Sequence, residues 1–450
     1  MLKKLGKILG VILLILVVIS LALFTSVDKT PLHESDYYKK MMVQLDSTQH
    51  FPNISKADTI KIGWAKANLV PPTLQPLAGY GKRKGAIMDG VLDTTFVRAI
   101  VFDNGKQKAV YLAADLLIVP PEVSKYVKKN LPKIGFDWQE IFMTATHSHS
   151  SVGAWAPGVV GNLFAGEYDE TVVRFLGEQF IKAIQLANKN KITSKIGFKK
   201  IDIPEFVRNR LVAEKGIIEP GFRILKIKRD DSSTAVISSY SAHATCLGNV
   251  NHHISRDYPG RLVQLLETSR KVDFALFGAG TVGSMGYQSE GETQQEELEY
   301  IATGLFQKIA PLIDAIPLKY ETELGSKHVK LPLRKPHARV TNSIRVRPWV
   351  FFNVYGKYPT DMSFLKIGNT AFVSTPCDFS GELMPELDAF YQQKGLNLFV
   401  NSFNGAYIGY VTKDEWYMLD EYETKTMNWF GPHNGAYLSE VIERFGEMME

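Results

Sequence analysis

Cysteine is almost missing from this chain, with two in 450 residues. That scarcity excludes a disulfide framework and any cysteine-rich zinc module. An excess of one charge is missing too. Basic residues number 52 against 47 acidic ones, and three of the basic residues, Lys3, Lys4 and Lys7, stand together before the first apolar run. The rest of the chain is nearly neutral, and no clustered basic face remains for a nucleic acid. There is no internal repeat, no low-complexity segment and no contiguous H-E-x-x-H zinc motif. What is plentiful is core: 45% hydrophobic against 22% charged residues. Intrinsic disorder is thereby excluded as the main state. The length suits one large α/β domain or two ordinary ones.

Ile8 to Phe24 is an apolar run broken only by Gly10 and Ser20. At about 1.5 Å per residue it spans roughly 26 Å, just short of a hydrocarbon core. Three lysines precede it and nothing charged follows until Asp28, so the positive-inside rule leaves the N-terminus in the cytoplasm. A cleaved signal peptide is the alternative, but its apolar region usually runs only about 7–15 residues. No small-x-small cleavage site occurs around Ala22–Ser26, and no lipobox cysteine is present. The expected organisation is therefore a Lys-rich cytoplasmic tip and transmembrane signal anchor over 1–27, a polar spacer over 28–58, and an extracytoplasmic catalytic body over 59–450. The protein would be a single-pass membrane protein.

From Thr59 onward, strand-like runs alternate with amphipathic helical patterns. Phe96–Phe102 and Lys108–Ile118 predict a strand pair turned at Asp103-Asn104-Gly105. Pro120–Leu131 predicts a helix with prolines at its start, and Asp169–Asn188 another, its apolar residues on one face. Glu140–Thr144 reads as a short buried strand. Gly221–Arg229 and Thr234–Tyr240 bracket a second hairpin turn. Thr293 and Glu296 form a capping box before a further helix. Ser363–Ser374 and Leu396–Asn401 are apolar runs of strand type. The mixture argues α/β or α+β layers, with chemistry at strand ends.

Four clusters could carry that chemistry. Thr144-Ala-Thr-His-Ser-His-Ser150 follows a buried strand, and histidines at i and i+2 on an extended segment point the same way. Neutral imidazole is the commonest metal ligand, although an isolated H-x-H is as compatible with hydrogen-bonded surface histidines. The others are His243-Ala-Thr-Cys246, Pro376-Cys-Asp-Phe-Ser-Gly-Glu382 and Tyr407-Ile-Gly-Tyr410, each just past an apolar run. Cys246 and Cys377 read either as buried small hydrophobes or, outside the cytoplasm, as a disulfide joining two loops.

The order of these clusters resembles the catalytic domain of the neutral ceramidases, metal-dependent hydrolases that cut the amide of N-acylsphingosines. The resemblance runs from about Ile62 to Val441. Ile62-Gly-Trp-Ala with Leu77-Ala-Gly-Tyr-Gly81 is similar to the family's opening strand and G-Y turn, and Arg98-Ala99 to its R-A segment. Thr146-His-Ser-His-Ser150 is similar to T-H-T-H-S, which implies that His147 binds zinc and His149 faces the substrate. Asn209-Arg210 is similar to the N-R-S turn, which implies that Arg210 helps hold the scissile group. His243-Ala-Thr245, with Ile254-Ser-Arg-Asp257 and Gly260, resembles H-G-T and I-S-x-D-x-x-G and implies a second zinc ligand at His243. Tyr407-Ile-Gly-Tyr-Val-Thr412, Glu421-Tyr422 and Gly431-Pro-His433 resemble the closing motif. They imply a metal-binding Tyr410 and a site-lining Tyr422.

Two departures stand out. The family's P-G-E is here Pro376-Cys377-Asp378, which makes the carboxylate ligand the shorter aspartate; zinc accepts either carboxylate. The family's N-x-G-D-x-S-P turn, with its serine, is here Gly278-Ala-Gly-Thr-Val-Gly-Ser284. Glycine holds the serine position at 283 and Ser284 falls one place late. The resemblance thus implies one zinc per chain held by His147, His243, Asp378 and Tyr410, with His149, Arg210, Tyr422 and Ser284 as the remaining site residues. A metal-activated water would then cleave an amide in a lipid or other N-acylated substrate. A catalytically silent binding member of the same fold and a zinc esterase remain the alternatives.

Overall fold

In the computed structural model, residues 2–47 and 54–449 are described. The prediction of mixed α/β layers holds. An eight-stranded sheet runs in the spatial order Phe274–Ala279, Thr234–Tyr240, Gly221–Arg229, Ile192–Asp202, Lys61–Asn68, Phe96–Asp103, Lys108–Ala114 and Ile141–Ala145. A four-stranded sheet runs Leu324–Lys330, Asp361–Ile367, Thr370–Thr375, Asn397–Ser402. The sheets share a core in which Tyr111, Phe142 and Leu225 of the first meet Leu365, Phe372 and Phe399 of the second. Helices cover both outer faces. Pro121–Asn130, Glu170–Lys189, Asp257–Thr268 and Gln294–Ile313 lie over the large sheet. Met384–Gln393 and Asn434–Met448 lie over the small one. Burying each apolar face against another layer is what stabilises such a stack.

Within these two sheets most neighbouring strands are antiparallel, but three pairs are parallel. Lys108–Ala114 pairs with Ile141–Ala145, Thr234–Tyr240 with Phe274–Ala279, and Thr370–Thr375 with Asn397–Ser402. A parallel pair needs a crossover, here supplied by Pro121–Asn130, Asp257–Thr268 and Met384–Gln393 respectively. One strand of each pair, Ile141–Ala145, Thr234–Tyr240 and Thr370–Thr375, carries a histidine or an aspartate shortly after its C-terminal end, where ligands of such sheets usually bind.

Local expectations fare well where the signal is local. The Asn104-Gly105 turn joins antiparallel strands, with Gly105 N–H and the amides of Lys106 and Gln107 bonded to the Asp103 and Asn104 side chains. The Thr293–Glu296 capping box forms, and Asp169 caps Glu170–Lys189. Three readings differ. Lys108–Ile118 leaves the sheet at Ala114, because the chain bends there toward the site. Ser363–Ser374 is a hairpin rather than one strand, turned at Gly368, whose φ of 55° a side chain would resist. Within the stretch read as a spacer, the helix Asp36–Asp46 buries Tyr37, Met41 and Leu45 against the small-sheet core. Residues 48–53 of that stretch lie outside the described residues.

The N-terminal helix Leu2–Leu23 contains a span, Lys3–Leu23, with mean hydropathy 2.8 and none of it buried, long and apolar enough to cross a membrane. Beyond it, Phe24–Ser26 pairs with Ile344–Val346.

Candidate active site

His147, His243 and Asp378 arrive from three different strand ends. His147 follows Ile141–Ala145, His243 follows Thr234–Tyr240, and Asp378 follows Thr370–Thr375. All three are buried. The Nε2 atoms of His147 and His243 lie 2.8 Å apart, and His149 Nε2 lies 3.2 Å from that of His147. The three histidines together form a group able to hold a metal ion.

Backbone carbonyls fix two of the tautomers. His147 Nδ1 donates to the Leu117 carbonyl at 2.6 Å and His243 Nδ1 to that of Val282 at 3.2 Å. The facing Nε2 atoms therefore both carry lone pairs, which repel at 2.8 Å unless a cation lies between or beside them. Such carbonyl partners are the usual means of orienting metal-bound imidazoles. Burial keeps the rings neutral: it pushes the His147 pKa down to about 3 and lowers those of His149 and His243 well below the usual value. Phe403 stacks on His147 with ring centroids 4.1 Å apart.

The i, i+2 reading brings the right side chains together for a different reason. The segment is not extended: His147 has φ 65°, in the left-handed region. A non-glycine residue there is strained by roughly 1–2 kcal/mol, and such strain clusters at functional sites. His149 is braced from behind, its carbonyl accepting from Arg83 at 2.5 Å. A Cβ on Gly79 would stand 2.7 Å from the His149 Cα, so glycine alone lets that turn approach.

Asp378 supplies the carboxylate. Its Oδ2 accepts from the Tyr407 hydroxyl at 2.6 Å, while its Oδ1 is buried without a hydrogen-bond partner, 3.4 Å from His147 Nε2. Burial raises its pKa to about 7, against the pull of Tyr407 and Arg210. A cation among the histidines would remove both anomalies at once, the facing lone pairs and the orphaned carboxylate oxygen. Asp378–Phe379 pairs in parallel with Tyr410–Val411, which sets Tyr410 beside Asp378. Arg210 Nη2 donates to the Tyr410 hydroxyl at 2.9 Å, and Arg210 Nε lies 2.9 Å from Glu423 Oε1. The Asn209 side chain accepts from the amides of Leu211 and Val212 and so shapes the turn that aims the arginine.

Part of this cluster opens onto a cleft that is itself partly open to solvent. Its walls are mostly apolar, including Trp155, Phe164, Tyr355, Met427 and Trp429, and His147, His149, Tyr407, Tyr410 and Tyr422 also line it. Tyr422 is half-exposed, its ring 5.7 Å from that of Tyr410. Ser284 is placed differently: it is fully buried, its hydroxyl bonded to that of Ser380, and it does not line the cleft. Cys246 and Cys377 are free and buried in separate cores, so the disulfide reading fails.

Sequence reasoning missed Glu423, the Tyr407 donor, and the Leu117 and Val282 carbonyls. Glu423 adjoins the Glu421-Tyr422 motif and could have been found there; carbonyls carry no sequence signal.

Comparison with known proteins agrees with this geometry. The family described as neutral/alkaline non-lysosomal ceramidase, N-terminal, matches residues 61–296, more than half of the chain. Neutral ceramidase A of Dictyostelium discoideum is 22% identical over 266 residues, 55% of this chain and 37% of that protein. Neutral ceramidase B of the same organism is 26% identical over 222 residues, 44% of this chain and 31% of its own length. The chain thus matches about a third of the length of these curated relatives. The fold is that of the neutral ceramidase of Pseudomonas aeruginosa, whose crystal structure superposes with a TM-score of 0.73 at 19% identity, covering 86% of this chain and 74% of that one. Sequence match, shared fold and histidine cluster lead to one conclusion: the chain belongs to the neutral/alkaline non-lysosomal ceramidase family.

Proposed function

We propose that this chain is a zinc-dependent hydrolase of the amide bond in a ceramide-like, N-acylated lipid, working on the extracytoplasmic side of a membrane. One ion per chain would be held by His147, His243 and Asp378, with Tyr410 completing the protein donors. The observation that carries this reading is the pair of imidazole lone pairs facing each other at 2.8 Å beside an unpartnered, buried carboxylate oxygen. Two neutral imidazoles and a carboxylate suit zinc.

Bound zinc supplies a Lewis acid that brings the pKa of a water from 15.7 toward about 7. The protein's own groups do the rest. His149, kept neutral by burial, accepts a proton and returns it to the leaving amine. Arg210, held between Tyr410 and Glu423, faces the developing oxyanion together with Tyr422; a well-placed donor of this kind contributes roughly 3–4 kcal/mol. The apolar walls take the acyl chain and exclude water. Nothing in this route requires a serine hydroxyl at position 283.

One observation favours a second reading, a metal-bearing binding member without turnover: position 283 is glycine and the Ser284 hydroxyl is occupied by Ser380. Metal analysis combined with turnover of matched N-acyl and ester lipids separates the readings. Stoichiometric zinc with amide hydrolysis supports the proposal, ester-only hydrolysis makes the chain an esterase, and zinc without turnover makes it a binder. His147→Ala and His243→Ala should each deplete zinc sharply, because a shell missing one ligand is incomplete. Wild-type zinc content in either folded variant removes the assignment.

A further inference from the structure

The helix Pro348–Tyr355 touches two features at once. At its start it holds the end of the apolar N-terminal helix: Arg347 N–H and Nε donate to the Leu23 and Leu21 carbonyls at 2.8 and 2.9 Å, and Trp349 Nε1 to that of Ala22 at 3.3 Å. The last carbonyls of a helix need such partners, and a cation is favourable there. At its other end, Tyr355 forms part of the cleft wall and donates its hydroxyl to the Tyr407 carbonyl at 2.5 Å. Trp349 and Tyr355 are six residues apart, at most about 9 Å along a helix. The headgroup layer on each side of a bilayer is itself roughly 5–8 Å deep.

A second short helix, Gly158–Ala165, packs beside the first, a Cβ on Gly158 lying 3.7 Å from the Val354 carbonyl. Its inner residues Val160, Phe164 and Ala165 line the cleft. Beside the exposed Asn162 and Asn353, the outward side of the two helices shows four large hydrophobes: Val159 is 69% exposed, Leu163 51%, Trp349 53% and Val354 39%. Helices that wall a cleft on the inside and show large hydrophobes outside mark an interaction surface. The anchor end hydrogen-bonded to that surface selects its partner.

We propose that Gly158–Ala165 and Pro348–Tyr355 form a lip that dips into the lipid headgroup layer on the exit side of the anchor, so that a lipid substrate passes from the leaflet into the cleft without crossing water. The proposal rests on reading Lys3–Leu23 as a membrane anchor. Trp349 suits that depth, since indole favours the membrane interface, and apolar faces of this kind sink about 5–10 Å into the headgroup boundary.

The test uses the full chain in phosphatidylcholine vesicles. Leu163→Cys and, in a second protein, Val159→Cys are labelled with a solvent-sensitive fluorophore; the native cysteines are buried and stay unlabelled. Lys106→Cys is the control, at the far end of the strand Lys108–Ala114 and roughly 20 Å from its site end. Labels at 159 and 163 should shift to the blue and lose emission to spin-labelled phosphatidylcholine, while the label at 106 does neither. If the protein floats with the vesicles and all three labels behave alike, the lip is refuted and the anchor stands. If it does not float, the anchor reading itself has failed and the lip with it.

Discussion

A side chain restored at position 283 should disable the site rather than complete it. The family's serine position is glycine here, and the structure supplies a reason of space. A Cβ on Gly283 would stand 2.8 Å from the Phe379 carbonyl carbon and 2.9 Å from that of Asp378, with the Asp378 carbonyl oxygen nearer still. Carbon atoms pack best at about 3.5–4.0 Å, so the neighbouring backbone would have to retreat by roughly 0.7–1 Å. It is poorly free to do so, because Gly283 N–H donates to the Phe379 carbonyl at 2.8 Å. Asp378 would move with that backbone, away from His147 and from its bond to Tyr407. Overpacking of this kind costs about 1–3 kcal/mol in stability, a fall in Tm of roughly 1–4 °C for a body this large. A displacement near 1 Å at a reacting centre costs about a hundredfold, close to 2.7 kcal/mol of transition-state stabilisation. The assay is kcat/KM on an N-acyl lipid with zinc content and Tm measured in parallel, for Gly283→Ala and Gly283→Ser. Both variants should lose activity to the same extent, hydroxyl or not. A Gly283→Ser protein as active as wild type while Gly283→Ala is dead would refute the steric reasoning and reinstate the hydroxyl.

Ser284→Ala should lower kcat less than tenfold, under about 1.4 kcal/mol, because its hydroxyl is spent on Ser380; Asp378→Ala should lose far more. An acyl-enzyme trapped on Ser284 would overturn that ordering. Lengthening the substrate's acyl chain by one methylene should raise kcat/KM by up to about fourfold, from ~0.8 kcal/mol per buried methylene, until the apolar cleft is filled; a flat series would place the chain elsewhere. His337 predicts a pH dependence of stability. Its Nδ1 donates to the Lys335 carbonyl and its Nε2 accepts from Asp28 N–H, so the native ring must stay neutral, and burial beside Arg345 lowers its pKa to about 4. The unfolded chain, titrating near 6.5, binds the proton that the native chain refuses. Stability is therefore full above about pH 6.5 and falls as pH drops toward 4, by roughly 3 kcal/mol at most. Urea midpoints of the detergent-solubilised chain at pH 7 and 5 should differ less in His337→Gln than in wild type, and equal slopes would dismiss the titration.

The sequence by itself determined the pieces whose causes lie within a few residues. The Asn104-Gly105 hairpin, the Thr293–Glu296 cap, the helix over 170–189 and the buried strand before His147 are each stabilised by neighbours in the chain, and each leaves a local pattern. Site residues from His147 to Tyr422 could be named because their short motifs resemble a family. Their meeting could not be derived from spacing, since His147, His243 and Asp378 are separated by 96 and 135 residues and converge only where the fold brings together the segments after Ile141–Ala145, Thr234–Tyr240 and Thr370–Thr375. Tertiary structure alone gave His147 its left-handed backbone, assigned the Leu117 and Val282 carbonyls as tautomer-setting acceptors, and paired Arg210 with Glu423. It also turned part of an apparent spacer into a packed helix and fastened the end of the apolar N-terminal helix to Arg347 and Trp349. The physical reason is the same throughout. A cap or turn is decided by atoms the chain already holds close, whereas a buried donor or carbonyl acquires its role only from whichever distant segment folding brings against it.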